Sequence, residues 1–350
     1  MDGPYIFIKK KFFEINYIGT SIHINKGEVQ KKKFSCAELE NYSFHCATNT
    51  AYGEPTAGFS FGLSSNEDFN SPCEYSMPEK IIAISDIEGN FYALQSILIA
   101  HKVIDKKNDW MFGAGHLVLP GDLIDRSNNV LACLWLIYKL EVQAKEQGGA
   151  VHYLLGNHEL MNFKNDLRYV HPQYTSSMKV KELYKALFST TSVLGNWIRS
   201  KNTIERIGNY LFVHGGISTQ LLQYQFTMQQ INHLIQENLS SNISMLNEGE
   251  RMLFGMYGPL WYRGLVYQNG EDDKVTEDNV DEVLQYFNVK KMVIGHTVVP
   301  FYQKLYNGKV IAIDILQPNK KGNTTVQAIL IEGEHEYIID DRGGKQYFNV

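Results

Sequence analysis

The chain of 350 residues has few cysteines and no long apolar run. Its four cysteines are too few for a disulfide scaffold, and none lies in the Cys-x-x-Cys pairs that are typical of zinc sites. No apolar stretch reaches the roughly 18 residues of a membrane span, and the N-terminus has no export-signal pattern. We therefore expect a cytoplasmic protein with reduced thiols and no membrane partner, although removal of an export signal would leave the same N-terminus.

The chain also has no net positive charge. Lys and Arg together number 33, whereas Asp and Glu number 38, which gives a formal charge of −5. Proteins that bind the backbone of nucleic acid over a broad surface usually carry positive charge, so we expect no nucleic-acid partner. Apolar residues make up 44% of the chain, which is enough to build a sizeable core. The oligomeric state has no signature in the sequence.

Motifs of three common hydrolytic mechanisms are absent or out of context. There is no GxxxxGK[ST] phosphate loop, which excludes P-loop nucleotide hydrolysis. A cysteine-dependent phosphatase needs an Arg six positions after its Cys, and no cysteine here has one. The segment from Gly58 to Gly62 matches the GxSxG elbow of serine hydrolases, but both of its flanks are loop-like, so it is predicted to be a linker.

The first 78 residues differ in pattern from the rest. Short stretches rich in Ile, Tyr and Phe predict strands within 5–13, 14–24 and 42–46, whereas 52–78 collects Gly, Pro, Ser and Asn. We therefore predict a small β-rich N-terminal extension and linker over 1–78. From 79 to 350 strands alternate with helices, as in layered α/β domains.

Hydrophobic periodicity predicts the elements of this second domain. Strands are expected at Lys80–Ser85, His116–Pro120, Val151–Leu155, Tyr210–Val213 and Lys291–Ile294. Helices are expected at Asn90–His101, at Val180–Ile198, at Glu277–Phe287 after Thr276 as N-cap, and around one apolar face made by Leu131, Trp135, Tyr138 and Val142. The tail over 301–340 is predicted to be consecutive strands, with a hairpin turn at Asn307-Gly308.

Polar side chains follow five of the predicted strands at the point where each strand ends. In chain order they are Asp86 and Glu88, then Asp122, Asp125 and Arg126, then Asn157 and His158, then His214, and last His296. Ligands collect beyond the carboxyl ends of strands in open α/β sheets, so these side chains are expected to converge. Carboxylate, amide oxygen and imidazole are the ligands of Mn²⁺, Zn²⁺ or Fe. The sequence therefore predicts a metal site.

The same series resembles the calcineurin-like metallophosphoesterases. The stretches GNHELMNFKNDLRYV (Gly156–Val170) and GPLWYR (Gly258–Arg263) are similar to the Shewanella-like phosphatases in particular. The resemblance covers about 79–333 and leaves the N-terminal extension outside. It implies a four-layer α/β/β/α sandwich and a phosphomonoesterase that uses two divalent metal ions.

The resemblance also implies a role for each position. Asp86 would bind the first metal and Asp122 would bridge both, while Asn157, His214 and His296 would hold the second. The arginines that would grip the phosphate are Arg126, Arg168 and Arg263. His158 would be the proton donor, oriented by Asp125. A hydroxide that bridges two cations could then attack phosphorus in line, because the cations lower the pKa of bound water toward neutrality.

Glu88 departs from the family pattern, which has His two positions after the first Asp. If Glu88 coordinates the first metal through oxygen, the site favours Mn²⁺ or Mg²⁺ over Zn²⁺ or Fe. Alternatively, Glu88 points away or contacts metal-bound water, so that the first ion binds weakly. In a third alternative catalysis is lost and the protein is a binder of phosphorylated ligands.

The expected substrate is a phosphorylated protein or peptide, on Ser/Thr or Tyr, with small phosphate esters as surrogates. We favour two Mn²⁺ ions as cofactors, with Fe, Zn²⁺ and Mg²⁺ as alternatives. Related metallophosphoesterases also cleave dinucleoside polyphosphates, so a nucleotide-type substrate is the alternative enzyme activity.

Overall fold

The computed structural model describes residues 2–9, 13–18, 29–35, 42–48, 58–63, 69, 71–267 and 275–349. The strands in these ranges, numbered along the chain, are β1 (Asp2–Ile8), β2 (Phe13–Ile18), β3 (Val29–Phe34), β4 (Phe44–Cys46), β5 (Phe59–Phe61), β6 (Glu74–Tyr75), β7 (Lys80–Ala83), β8 (His116–Leu119), β9 (Ala150–Tyr153), β10 (Ile204–Ile207), β11 (Tyr210–Val213), β12 (Lys291–Ile294), β13 (Gln303–Leu305), β14 (Val310–Ala312), β15 (Gln327–Glu332), β16 (His335–Asp340) and β17 (Lys345–Tyr347).

Helices separate most of the later strands. They are α1 (Phe91–Ala100), α2 (Val130–Glu146), α3 (Asn157–Phe163), α4 (Met178–Leu187), α5 (Val193–Arg199), α6 (Thr219–Leu222), α7 (Met228–Asn238), α8 (Glu248–Phe254) and α9 (Glu277–Tyr286), with short 3₁₀ turns at Pro172–Thr175 and Ile243–Met245. Among the described helices, none combines the length and the apolar character needed to cross a membrane.

Two six-stranded sheets form the centre of the molecule. The first has the order β17-β16-β15-β7-β8-β9, and the second has the order β13-β14-β12-β11-β10-β6. Apolar side chains of both sheets, such as Ile81, Val118, Phe212 and Val293, pack into one buried cluster between them. Helix α2 packs on β9 and α7 packs on β10, so helices cover the outer faces. This arrangement confirms the predicted α/β/β/α sandwich.

Strands β7, β8 and β9 are parallel in the first sheet, and β11, β12 and β14 are parallel in the second. Their carboxyl ends lie at the same edge of the sandwich, because the backbone N–H of His296 after β12 donates to the Asp86 carboxylate after β7, at 3.1 Å. This edge carries the polar residues that the sequence predicted at the strand ends.

The first three turns of helix α2 are buried on every side, although the sequence predicted a single apolar face. All residues from 130 to 140 are buried, whereas Val142 is only partly so. The indole N–H of Trp135 donates to the carbonyl of Pro4 at 2.8 Å, and its ring stacks on Phe61 with centroids 4.4 Å apart. The N-terminal strands therefore cover the face of α2 that points away from the sheet.

Two predictions about secondary structure are wrong. The helix expected over 180–198 is divided into α4 and α5, because the Ser192 hydroxyl accepts a hydrogen bond from the N–H of Gly195 and starts a new helix. The GxSxG segment is not a linker, because Phe59 and Phe61 are buried in β5, which pairs with β4, while Ser60 is exposed. Such short strands are difficult to recognise, since their partners lie far away in the sequence.

Other parts of the N-terminal prediction have mixed outcomes. Residues 19–24 and 52–57 lie outside the described residues. Strand β6 falls within the predicted linker, yet it pairs with β10 at the edge of the second sheet. The division of the chain at residue 78 stays a proposal.

Candidate active site

Sharp backbone turns at the strand ends aim the polar side chains into one space. Six residues at these ends have left-handed φ angles, which non-glycine residues adopt at an energetic cost: Asp86 (53°), Glu88 (48°), Asp122 (52°), Asp125 (78°), Arg126 (51°) and His296 (65°). Strained residues of this kind cluster at functional sites, where the surrounding structure holds them in place.

Asp122 lies at the centre of this space and is buried. Its Oδ2 atom is 3.2 Å from Nε2 of His214, and its Oδ1 atom accepts a hydrogen bond from the backbone N–H of His158 at 2.9 Å. Ligand atoms of Asp122, His214 and His296 all lie within 4.8 Å of one another. Oδ1 of Asn157 is 2.9 Å from His214 Nε2. The structure thus brings together the four side chains predicted around the second metal.

Each of the two histidines has one ring nitrogen next to a backbone carbonyl oxygen, which orients the ring. Nδ1 of His214 is 2.8 Å from the carbonyl oxygen of Pro120, and Nε2 of His296 is 3.2 Å from that of Trp261. A carbonyl oxygen accepts only, so these nitrogens carry the protons, and the opposite nitrogens can bind metal. The donor set therefore suits a divalent cation.

Two glycines allow the strand ends to approach closely. A Cβ atom on Gly156 would lie 2.1 Å from Oδ1 of Asp122, and one on Gly295 would lie 2.4 Å from Oδ2 of Asp86. Both distances are far below van der Waals contact. Glycine at these positions is therefore required for the carboxylates to reach the centre.

Glu159 holds the Asp122 turn against helix α3. Its buried carboxylate accepts hydrogen bonds from the backbone N–H groups of Asp122, Leu123 and Gly156 at 3.0, 3.0 and 2.7 Å, and from the Tyr153 hydroxyl at 2.8 Å. Glu159 belongs to the GNHE motif, but the sequence pattern predicted no role for it. Two of these partners, Asp122 and Leu123, are backbone groups of another loop, so no local residue pattern identifies them.

His158 and Asp125 form the pair that was predicted for proton donation. Nδ1 of His158 is 2.8 Å from Oδ2 of Asp125, and Asn162 donates to the other oxygen of Asp125 at 2.8 Å. Nε2 of His158 faces the centre, 3.6 Å from Oδ2 of Asp122. Burial alone would lower the pKa of His158, but Asp122 and Asp125 outweigh burial and raise the pKa to about 9.

Glu88 lies inside the site and forms an ion pair. Its Oε1 atom is 2.6 Å from Nε of Arg126 and 4.0 Å from Nε2 of His158. Glu88, Asp122 and His158 make a second group with ligand atoms within 4.8 Å, and this group shares Asp122 with the first. Burial raises the pKa of Glu88 to about 7, although Arg126 opposes the shift. Within the described ranges, Asp86 belongs to neither group.

Asp314 is a residue of this region that the sequence analysis missed. It follows β14, is only 4% exposed, and lies close enough to Asp86 for their charges to interact. Burial and the Asp314 carboxylate together raise the pKa of Asp86 well above its usual range. The available signal was the apolar run 310–313 ending in Asp, but the tail was interpreted as a series of consecutive strands.

Two of the three predicted phosphate-binding arginines border the centre. The Arg126 guanidinium stacks on Tyr169 at 5.0 Å, and the Tyr169 ring in turn lies 5.1 Å from that of His158. Nη1 of Arg263 donates to the carbonyl of His296 at 2.7 Å. Arg168 is 66% exposed and pairs with Asp166 at 2.7 Å. The role of Arg168 stays a prediction, and Tyr169 is a further residue that the sequence analysis missed.

In the absence of cations, we expect the protein to lose stability as the pH rises from about 6.5 to 10. Burial lowers the pKa values of His158 and His214, but neighbouring carboxylates outweigh it and raise them to about 9 and about 10. The folded state then binds more protons than the unfolded state. The resulting stabilisation is complete below pH 6.5 and is lost as the pH rises past the folded-state pKa values of the two histidines. For His158 alone the loss is roughly 3 kcal/mol.

Urea unfolding in EDTA between pH 6 and 10 measures this effect. The His158→Asn variant is the control, because it removes one of the two groups and should flatten the dependence. A free energy of unfolding that is constant or increases from pH 6.5 to 9 would contradict the assigned environment of both histidines.

Comparison with known proteins agrees with this geometry. The family model of the calcineurin-like phosphoesterases matches residues 79–300. An uncharacterised protein of Schizosaccharomyces pombe is 30% identical over 70% of this chain and 75% of its own length. Shewanella-like protein phosphatase 2 of Arabidopsis thaliana is 22% identical over 69% of this chain and 72% of its own.

Among solved structures, the cold-active protein-tyrosine phosphatase of a psychrophilic Shewanella species superposes with a TM-score of 0.84 and 30% identity. The match covers 99% of both chains, so it includes the N-terminal residues that the sequence resemblance over 79–333 left out. The chain belongs to the calcineurin-like phosphoesterases, and it is a metal-dependent hydrolase of phosphoester bonds.

Proposed function

We propose that this protein is a phosphoprotein phosphatase that removes phosphate from Ser/Thr or Tyr side chains and uses two divalent cations, with Mn²⁺ favoured. The observation that carries the proposal is the convergence of Asp122, Asn157, His214 and His296, with His158 and Arg126 beside them. The relatives support a protein substrate, because the Arabidopsis and Shewanella proteins bear the names of protein phosphatases.

The two cations would share Asp122. Asn157, His214 and His296 would hold one of them, and Asp86 and Glu88 would hold the other. When bound, the cations supply an acidified water and neutralise the charge of the phosphate. The first site would be rich in carboxylate oxygen, which favours Mn²⁺ or Mg²⁺ over Zn²⁺.

The arginines bind and orient the phosphate. Guanidinium groups stay charged and match phosphate oxygens with two parallel hydrogen bonds. Arg263 is anchored by the carbonyl of His296, which places its charge beside a metal-ligating residue. Arg126 is held between Tyr169 and Glu88, so an incoming phosphate competes with the Glu88 carboxylate for it.

His158 supplies the proton that the departing oxygen needs. With Nδ1 bound to Asp125, its Nε2–H is the proton that faces the centre. Asp125 is fully buried and is itself held by Asn162, so it fixes the ring orientation and stabilises the charged form. A positioned imidazole acid of this kind contributes about 10²- to 10⁴-fold in rate.

A substrate panel tests the proposal. Peptides with phosphoserine, phosphothreonine or phosphotyrosine, p-nitrophenyl phosphate and a dinucleoside polyphosphate are each assayed with Mn²⁺ and with EDTA. We expect Mn²⁺-dependent release of phosphate from at least one phosphopeptide and from p-nitrophenyl phosphate. Background turnover of all phosphopeptides, together with clear cleavage of the dinucleotide, would replace the proposal with the nucleotide activity. Binding of phosphopeptides without any turnover would indicate a non-catalytic binder.

Changing Glu88 to His is expected to shift the metal preference toward Zn²⁺. The substitution removes a carboxylate and supplies an imidazole, which is a better ligand for Zn²⁺ than for Mn²⁺. We expect the ratio of Zn²⁺ to Mn²⁺ affinities to rise about tenfold or more, as measured by competitive metal binding.

The Glu88→Gln variant separates the effect of charge from that of the new ligand. It also weakens the pair with Arg126, so inorganic phosphate should inhibit it more strongly than it inhibits the wild type. An unchanged metal preference in Glu88→His would contradict a role of Glu88 at the first site. No turnover by wild type or Glu88→His with Mn²⁺ would contradict catalysis.

A further inference from the structure

Asp314 carries a buried side chain just after β14. The residue is 4% exposed, and in the described part of the chain no hydrogen bond or ion pair reaches its side chain. Its backbone is well held, because its carbonyl oxygen accepts from the N–H of Val299 at 2.8 Å and the preceding N–H of Ile313 donates to Ile294 at 2.9 Å. The position of the carboxylate is therefore set by the sheet.

The sheet places Asp314 in line with two candidate metal ligands. Strands β11, β12 and β14 are parallel neighbours, and Ile294 pairs with Ala312, so His296 and Asp314 each lie two residues beyond a paired position of adjacent strands. His214 follows β11 at the same edge. Asp86 accepts a hydrogen bond from the backbone N–H of His296 from the opposite sheet, so it lies at the same strand end.

Two neighbouring carboxylates that are largely shielded from water repel one another. Burial, with a further contribution from the Asp314 carboxylate, raises the pKa of Asp86 well above its usual range, and burial raises the pKa of Asp314 to about 6. His214, Arg263 and Arg126 counteract the shift in the pKa of Asp314 only in part. A buried charge of this kind is costly unless a cation or a set of donors compensates it.

We propose that Asp314 belongs to the first cation site, where its carboxylate faces a divalent cation from the side of Asp86. The inference rests on the proposed function, because it assumes that the cation is the one held by Asp86 and Asp122. With Asp314 contributing an oxygen and a negative charge, the first site would not depend on Glu88 alone, whose Oε1 atom also pairs with Nε of Arg126 at 2.6 Å.

Calorimetric titration of the metal-free protein with Mn²⁺ tests this role. Wild type should bind two ions, whereas Asp314→Asn, which removes the charge but keeps the shape, should weaken one site by about tenfold or more and leave the other unchanged. Asp281→Asn is the matched control, because it removes one Asp charge from an exposed position of α9. Asp314→Glu, which keeps the charge, should lie between wild type and Asp314→Asn.

Thermal unfolding gives a second readout. In EDTA, Asp314→Asn should melt at or above the temperature of wild type, because an uncompensated buried charge is gone. The increase in melting temperature on adding Mn²⁺ should be smaller than in wild type. A residue with a purely structural role would instead lower both melting temperatures equally.

If both Mn²⁺ sites of Asp314→Asn had the same affinities as those of wild type, the inference would be overturned. Its failure is distinguishable from that of the proposed function. If wild type binds two ions, Asp314→Asn weakens one of the two sites, and wild type cleaves no phosphopeptide, the inference stands and the phosphatase proposal is contradicted. Wild type that binds no ion would contradict both.

Discussion

Replacing Asp122 with Asn is expected to lower kcat/KM for p-nitrophenyl phosphate by about 10³-fold or more. In the part of the chain that the structure describes, Asp122 is shared by both groups of converging ligand atoms, so its charge acts on both cation positions. Stabilisation by a bound cation is worth several kcal/mol, and each 1.4 kcal/mol is about tenfold in rate. Steady-state assays at saturating Mn²⁺ measure the loss.

The variant should fold, because an Asn side-chain oxygen can still accept the hydrogen bond from the His158 N–H that Asp122 accepts at 2.9 Å. Asp281→Asn again serves as the control for the loss of one negative charge. Activity of Asp122→Asn within threefold of wild type would show that this carboxylate is not at the reacting centre.

Replacing His158 with Asn should produce a loss that depends on the leaving group. The imidazole faces the centre through Nε2, where it can protonate the departing oxygen. For phosphoserine peptides, whose alkoxide is strongly basic, we expect kcat to fall by about 10²- to 10⁴-fold. For p-nitrophenyl phosphate the loss should be much smaller, because its phenolate leaves without a proton.

Two controls separate this role from a general defect. Inhibition by inorganic phosphate should stay within a few-fold of wild type, because His158 is not required to bind the phosphate. Asp125→Asn should show the same dependence on leaving group with a smaller loss of kcat, because this variant keeps the His158 imidazole and removes only its charged partner. Equal losses for both substrates would contradict proton donation by His158.

The positions of the converging side chains could be predicted because each follows an apolar strand of the sandwich. Strands β11 and β12 have the predicted bounds, and the residues after them, His214 and His296, meet Asp122 in the structure. Asp314 follows the same rule after β14. Asp314 was missed because the tail was predicted to be a series of consecutive strands. The sequence did not indicate that β14 is parallel to β12, so that its carboxyl end lies at the site.

Residues that act through distant backbone or aromatic contacts were beyond prediction. Glu159 binds the N–H groups of Asp122 and Leu123, and Tyr169 lies between Arg126 and His158. Nothing in the local pattern of either residue identifies those partners. The same holds for the burial of α2, since Trp135 meets Pro4 across 131 positions of sequence.

Counting the ions bound per chain, in the same samples whose turnover is measured, tests the account most directly. Protein treated with a chelator, dialysed and reloaded with Mn²⁺ is assayed by elemental analysis and with p-nitrophenyl phosphate. We predict two ions per chain after reloading, almost no turnover in the chelated sample, and recovery of turnover with the ions. Chelated protein that holds no ion and cleaves the ester as fast as reloaded protein would contradict the account.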